Sequence, residues 1–132
     1  MPLTFDAFRR MALELPEAVE GAHMGHPDFR VGGKIFATVG VPSADYGMVS
    51  LTPEQQKAFV ESEPKVFVPV KGGWGLRGAT NVLLKAATPR VLGPALATAW
   101  RNRAPKGLTL PGTPAQAGTS AAGAKKRKRT TR

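Results

Sequence analysis

Two adjacent glycines, Gly32 and Gly33, interrupt the stretch Gly25–Thr38, which reads GHPDFRVGGKIFAT. They stand between two runs rich in apolar and basic residues. A two-residue turn of this kind needs positive φ at both positions, which glycine adopts without a Cβ clash. The stretch therefore predicts a β-hairpin, with Phe29–Val31 as one strand and Lys34–Gly40 as the other. Such a hairpin nucleates an antiparallel sheet and exposes the side chains that flank its turn.

The rest of the chain fits around it. Thr4 to Leu15 reads as a helix, capped by Thr4 and with Phe5, Phe8, Ala12 and Leu15 on one apolar face. Pro16 ends it. Glu17–His23 leads into the sheet with a short strand. Pro42–Gly47 supplies turn residues before a strand at Gly47–Leu51. Thr52-Pro53-Glu54-Gln55 starts a second helix through a capping box, running to about Ser62 with Ala58 and Phe59 inward. Val66–Val70 is β-rich, and Pro69 argues for an edge or a strand end. Lys71–Thr80, KGGWGLRGAT, reads as a glycine-rich loop, and Asn81–Lys85 as a short strand. Thr88-Pro89 opens the last helix, with Leu92, Leu96, Ala99 and Trp100 on one face and fraying near Arg103–Pro105. The order α-β-β-β-β-α-β-β-α, without regular βαβ alternation, predicts an α+β fold: an antiparallel sheet with flanking helices.

The length of 132 residues suits one domain and a tail: residues 1–105 form the domain, and 106–132 a basic segment with too few large apolar side chains to order in isolation. The net charge of +10 suggests a polyanion binder until it is divided. Residues 1–100 hold ten Lys/Arg and all nine acids, about +1, whereas 101–132 hold nine Lys/Arg and no acid, hence +9. There is no cysteine, so no disulfide and no thiolate metal site. No apolar run approaches the ~20 residues that span a bilayer. The N-terminus lacks the order of a signal peptide. The expectation is a cytoplasmic monomer that does not engage membranes.

Leu15-Pro16, Glu20-Gly21, the run Pro27–Thr38, Trp74-Gly75, Gly78 and Ala99-Trp100 occur in order. With these the chain resembles the MmcQ/YjbR-like family over roughly residues 4 to 106, and Phe29–Ala37 (FRVGGKIFA) is the most specific part. The resemblance implies a CyaY-like α+β fold. It also implies the family's usual label, a DNA-binding protein with two wing-like hairpins, which rests on shape. One position departs from the pattern: an aromatic is expected after Gly78, and Ala79 stands there.

Two groups of side chains are candidates for phosphate contact. Arg30 and Lys34 flank the glycine turn and would position the protein on a backbone without reading sequence. Against this, they would solvate an exposed hairpin or pair with Asp28 and Glu20. Lys71, Trp74 and Arg77 would hold a backbone and stack on a base. Against that, Trp74 would cover the sheet edge. The tail run Lys125, Lys126, Arg127, Lys128 and Arg129 would bind any polyanion in a salt-sensitive way, or merely solubilise the chain. His23, His26 and Asp28 lack the spacing of a metal site, the serines lack an elbow context, and no carboxylate pair stands out. No enzyme activity and no cofactor are expected. DNA is the expected partner, with a protein-interaction or small-ligand module as the alternative.

Overall fold

A computed structural model describes residues 3–23, 25–40 and 43–108. Tail residues 109–132, including Lys125, Lys126, Arg127, Lys128 and Arg129, lie outside the described residues, as does Pro42 of the expected turn. The elements are α1 (Phe5–Leu13), β1 (Val19–His23), β2 (His26–Val31), β3 (Lys34–Val39), β4 (Tyr46–Ser50), α2 (Pro53–Ser62), β5 (Phe67–Pro69), α3 (Gly73–Leu76), β6 (Ala79–Leu83), a 3-10 turn (Leu84–Ala86) and α4 (Pro89–Arg103). The six strands form one antiparallel sheet in the order β1-β2-β3-β4-β6-β5. The expected α+β class is thus observed.

All three long helices begin as the sequence dictates. The hydroxyls of Thr4, Thr52 and Thr88 accept from the N–H groups of Ala7, Gln55 and Val91. Gln55 also completes the capping box by accepting from the Thr52 N–H at 2.9 Å. Gly32 and Gly33 take φ of 60° and 81°, the positive values the hairpin requires. Pro69 sits on the edge strand β5. Val66 and Val70 hydrogen-bond to β6, so Pro69 falls in the alternate, outward register, where no N–H is needed.

One face of the sheet carries the helices. Phe8 of α1 lies 6.1 Å from Phe29 of β2 and over Gly47 of β4, where any Cβ would meet its ring. Leu92, Ala95, Leu96, Ala99 and Trp100 of α4 are buried beside it. The Trp100 indole donates to the Pro16 carbonyl at 2.8 Å, tying α4 to the link between α1 and β1. In that link Glu17 has a φ of 58°, a left-handed conformation that disfavours a side chain.

Two expectations need correction. Ala58 is exposed, and α2 has no fully buried residue, because it lies at the rim and touches the core through half-buried Phe59 and Val60. The segment Lys71–Thr80 is not a loop throughout: its middle forms α3 and its end opens β6.

Two substitutions test this packing. Glu17→Gly relieves the left-handed strain and raises stability by about 0.5–1 kcal/mol. Gly47→Ala overpacks against Phe8 and lowers it by about 1–3 kcal/mol. Urea unfolding midpoints read both.

Candidate nucleic-acid interface

The antiparallel register decides which charged side chains meet. Val31 pairs with Lys34 at the glycine turn, Ser50 with Ala79, and Pro69 with Thr80. The Gly32–Gly33 turn, the Lys71–Gly78 segment and the end of β4 therefore emerge from one end of the sheet. From β3 to β6 is two strand spacings, ~10 Å.

The C-terminal end of α4 arrives at the same place. Arg103 Nε donates to the Ile35 carbonyl at 3.3 Å, and Asn102 Nδ2 to the Ser50 carbonyl at 3.0 Å. Pro105 packs so closely on Gly32 that a Cβ there would lie 2.9 Å from its ring. Arg103 and Lys106 thereby join Lys34 beside the turn, all three exposed. Sequence reading missed these two cations, because 70 positions separate Arg103 from Gly33 and only the path of α4 unites them. Glu17 and Glu54 are exposed at the same end and moderate its positive field.

Arg30 is held differently from Lys34. By strand alternation it lies with Asp28 and Gly21 on the face without helices. Its Nε and Nη2 donate to the two Asp28 oxygens at 2.8 and 3.1 Å. Asp28 is 0% exposed and the Arg30 side chain 37% exposed. The Asp28 hydrogen bond, and then its charge, raise the Arg30 pKa above the ordinary guanidinium value. Gly21 is the floor of this pair, since a Cβ there would meet Asp28 Oδ1 at 2.8 Å and Arg30 Nε at 3.1 Å. Glu20 instead pairs with Arg9 at 2.6 Å. Desolvation lowers the Arg101 pKa, yet an arginine remains cationic at any physiological pH.

Two of the four glycines of the second segment, Gly75 and Gly78, serve close packing, whereas Gly72 and Gly73 face open space. Gly75 is pressed against the Val70 carbonyl, and Gly78, with φ of 112°, against the Leu51 carbonyl; no side chain fits at either. Gln56 of α2 donates to the carbonyls of Gly75 and Ala79, both at 3.0 Å. This anchored turn projects Trp74 and Leu76 into solvent at 69% and 82% exposure. The Trp74 ring is not laid over the sheet edge. Its face meets the Arg77 guanidinium, 5.7 Å from the ring centroid, a cation–π arrangement. Lys71 is exposed on the approach to α3.

Among the described residues no three His, Asp or Glu side chains stand close enough together to hold a metal ion. No helix among them is long and apolar enough to cross a membrane.

An antiparallel sheet with helices on one face, and turns and a helix end gathered at one end, defines an α+β domain. The YjbR family model matches residues 13–102, and the chain belongs to that family. The crystal structure of the Deinococcus radiodurans protein DR2400, a DUF419 domain, is similar in fold, with a TM-score of 0.65 at 20% identity over 81% of this chain and 83% of that one. No curated protein matches the sequence.

If Gln56 anchors α3, then Gln56→Ala removes two hydrogen bonds and lowers stability by about 1–2 kcal/mol. The heteronuclear NOE of the Trp74 indole N–H should fall with it. An unchanged value would mean that the glycine contacts alone hold the turn.

Proposed function

We propose that this protein binds nucleic acid without sequence preference through the end of the sheet that carries the two glycine-rich turns. The observation that carries this reading is the convergence of Lys34, Arg103 and Lys106 beside one turn with Lys71, Arg77 and exposed Trp74 beside the other. Cations spaced along one end suit successive phosphates, which fix position without carrying sequence information. Trp74 offers a flat face to a splayed base, and Arg77 steadies it. Arg30, already neutralised by Asp28, contributes mainly by stiffening the hairpin. Lys125, Lys126, Arg127, Lys128 and Arg129 add sequence-blind affinity in this proposal. The cations face solvent and not an enclosed pocket, which favours a binding role over catalysis.

The test is fluorescence anisotropy on duplex and single-stranded oligonucleotides across a salt series, using three full-length proteins. One is unaltered, one carries Gln at the five tail cations, and one carries Gln at Lys34, Lys71, Arg77 and Arg103. Every phosphate that a variant no longer neutralises should reduce the duplex salt slope by about 0.9. Both variants therefore bind more weakly and less salt-dependently than the parent. If the second variant keeps the parent's affinity and slope, the body is not an interface and the tail alone binds.

Trp74→Ala separates stacking from charge. It should weaken single-strand binding by about 1–3 kcal/mol and change duplex binding far less. Equal losses on both substrates would assign Trp74 to shape and not to stacking.

A further inference from the structure

We infer that the cleft between α2, β5 and the first turns of α4 binds a small zwitterion with an apolar body, a free aromatic or branched-chain amino acid being the simplest example. The cleft has a volume of about 330 Å³, within the usual range for small-molecule sites. It is lined by Phe59, Ser62, Glu63, Phe67, Val91 and Pro94, with Arg90 on its rim. Along α4 its lining residues lie roughly 13–20 Å from Arg103, so it is separate from the basic end of the sheet.

Its chemistry is divided between floor and rim. Phe59 and Phe67 meet edge to face, 5.2 Å apart at 61°, and with Val91 and Pro94 they form an apolar seat. Glu63 is half-buried and Arg90 exposed. Neither forms an ion pair with the other or with any described residue. Two opposite charges that line one cleft without meeting leave room for a ligand that bridges them. A zwitterion does so, its ammonium toward Glu63 and its carboxylate toward Arg90. Phosphate would be repelled by Glu63, so nucleic acid does not suit this cleft. The inference stands independently of the proposed interface.

The test is a titration of the full chain, followed by amide chemical shifts, with L-phenylalanine, 3-phenylpropionate and phenethylamine. The two analogues each keep one charge. Millimolar L-phenylalanine should give saturable shifts centred on Phe59, Phe67 and Val91, and each analogue should bind roughly tenfold or more weakly, as expected for loss of a charge-assisted hydrogen bond. Arg90→Gln should weaken L-phenylalanine and 3-phenylpropionate and spare phenethylamine. Glu63→Gln should do the reverse for the analogues. Absence of saturable shifts, equal binding of all three compounds, or binding indifferent to both substitutions would each overturn the proposal.

Discussion

The position of α4 is the constraint from which the molecule's other features follow, and Trp100 sets it. This is the largest fully buried side chain, and its one polar atom is satisfied by the Pro16 carbonyl. A buried indole with an unmade hydrogen bond would be costly, so the helix has little freedom to rotate or slide. With Trp100 fixed, Asn102 and Arg103 reach the backbone of β4 and β3, and Pro105 closes on Gly32. The hairpin turn is thus backed by a helix end and is not a free-standing wing. The same placement runs the first turns of α4 past α2 and β5, where the apolar cleft forms.

The two ends of the molecule consequently differ in chemistry while sharing one scaffold. One end gathers exposed cations and an exposed tryptophan; along α4 from it lies an aromatic floor between an acid and a base that form no ion pair among the described residues. The face without helices carries the Asp28–Arg30 pair on its glycine floor. That pair removes a cation from the field around the turn and in return fixes the β1–β2 contact across Gly21. Residues 1–108 hold thirteen Lys/Arg and nine acids, about +4, which is a modest excess and not a bulk positive field. Any polyanion they hold must be met by individually placed side chains.

The local grammar of the fold was legible. Three threonine caps, the glycine turn and the edge proline each rest on interactions within a few residues, and each is found where the sequence puts it. What the chain did not disclose depends on register and on distant contacts. β6 inserts between β4 and β5, so the second glycine-rich segment meets the end of the hairpin sheet. Arg103 and Lys106 read as the frayed end of a helix until α4 is docked. Asp28 and Arg30 are two residues apart on one strand, and their pairing was open in the sequence. Gly21, as the reason the pair can lie flat, was not. Ala58 was read as inward on helical spacing, but a helix at the rim of a sheet buries only the narrow stripe that contains Phe59 and Val60.

The glycines of Lys71–Thr80 carry the most instructive change of meaning. Composition suggested flexibility, since glycine has the widest backbone freedom. In the fold Gly75 and Gly78 are the points where chain presses on chain, and Gln56 ties the turn from the side. A segment anchored in this way has surrendered its entropy before any ligand arrives, so contacts made by Trp74 would not be offset by ordering the turn. That rigidity also explains why two large apolar side chains stay in solvent. Trp74 and Leu76 have no route back to the core, because the glycine contacts below them leave no space for one. An exposed aromatic held by packing, beside Arg77 and Lys71, is an arrangement suited to a flat, negatively charged partner.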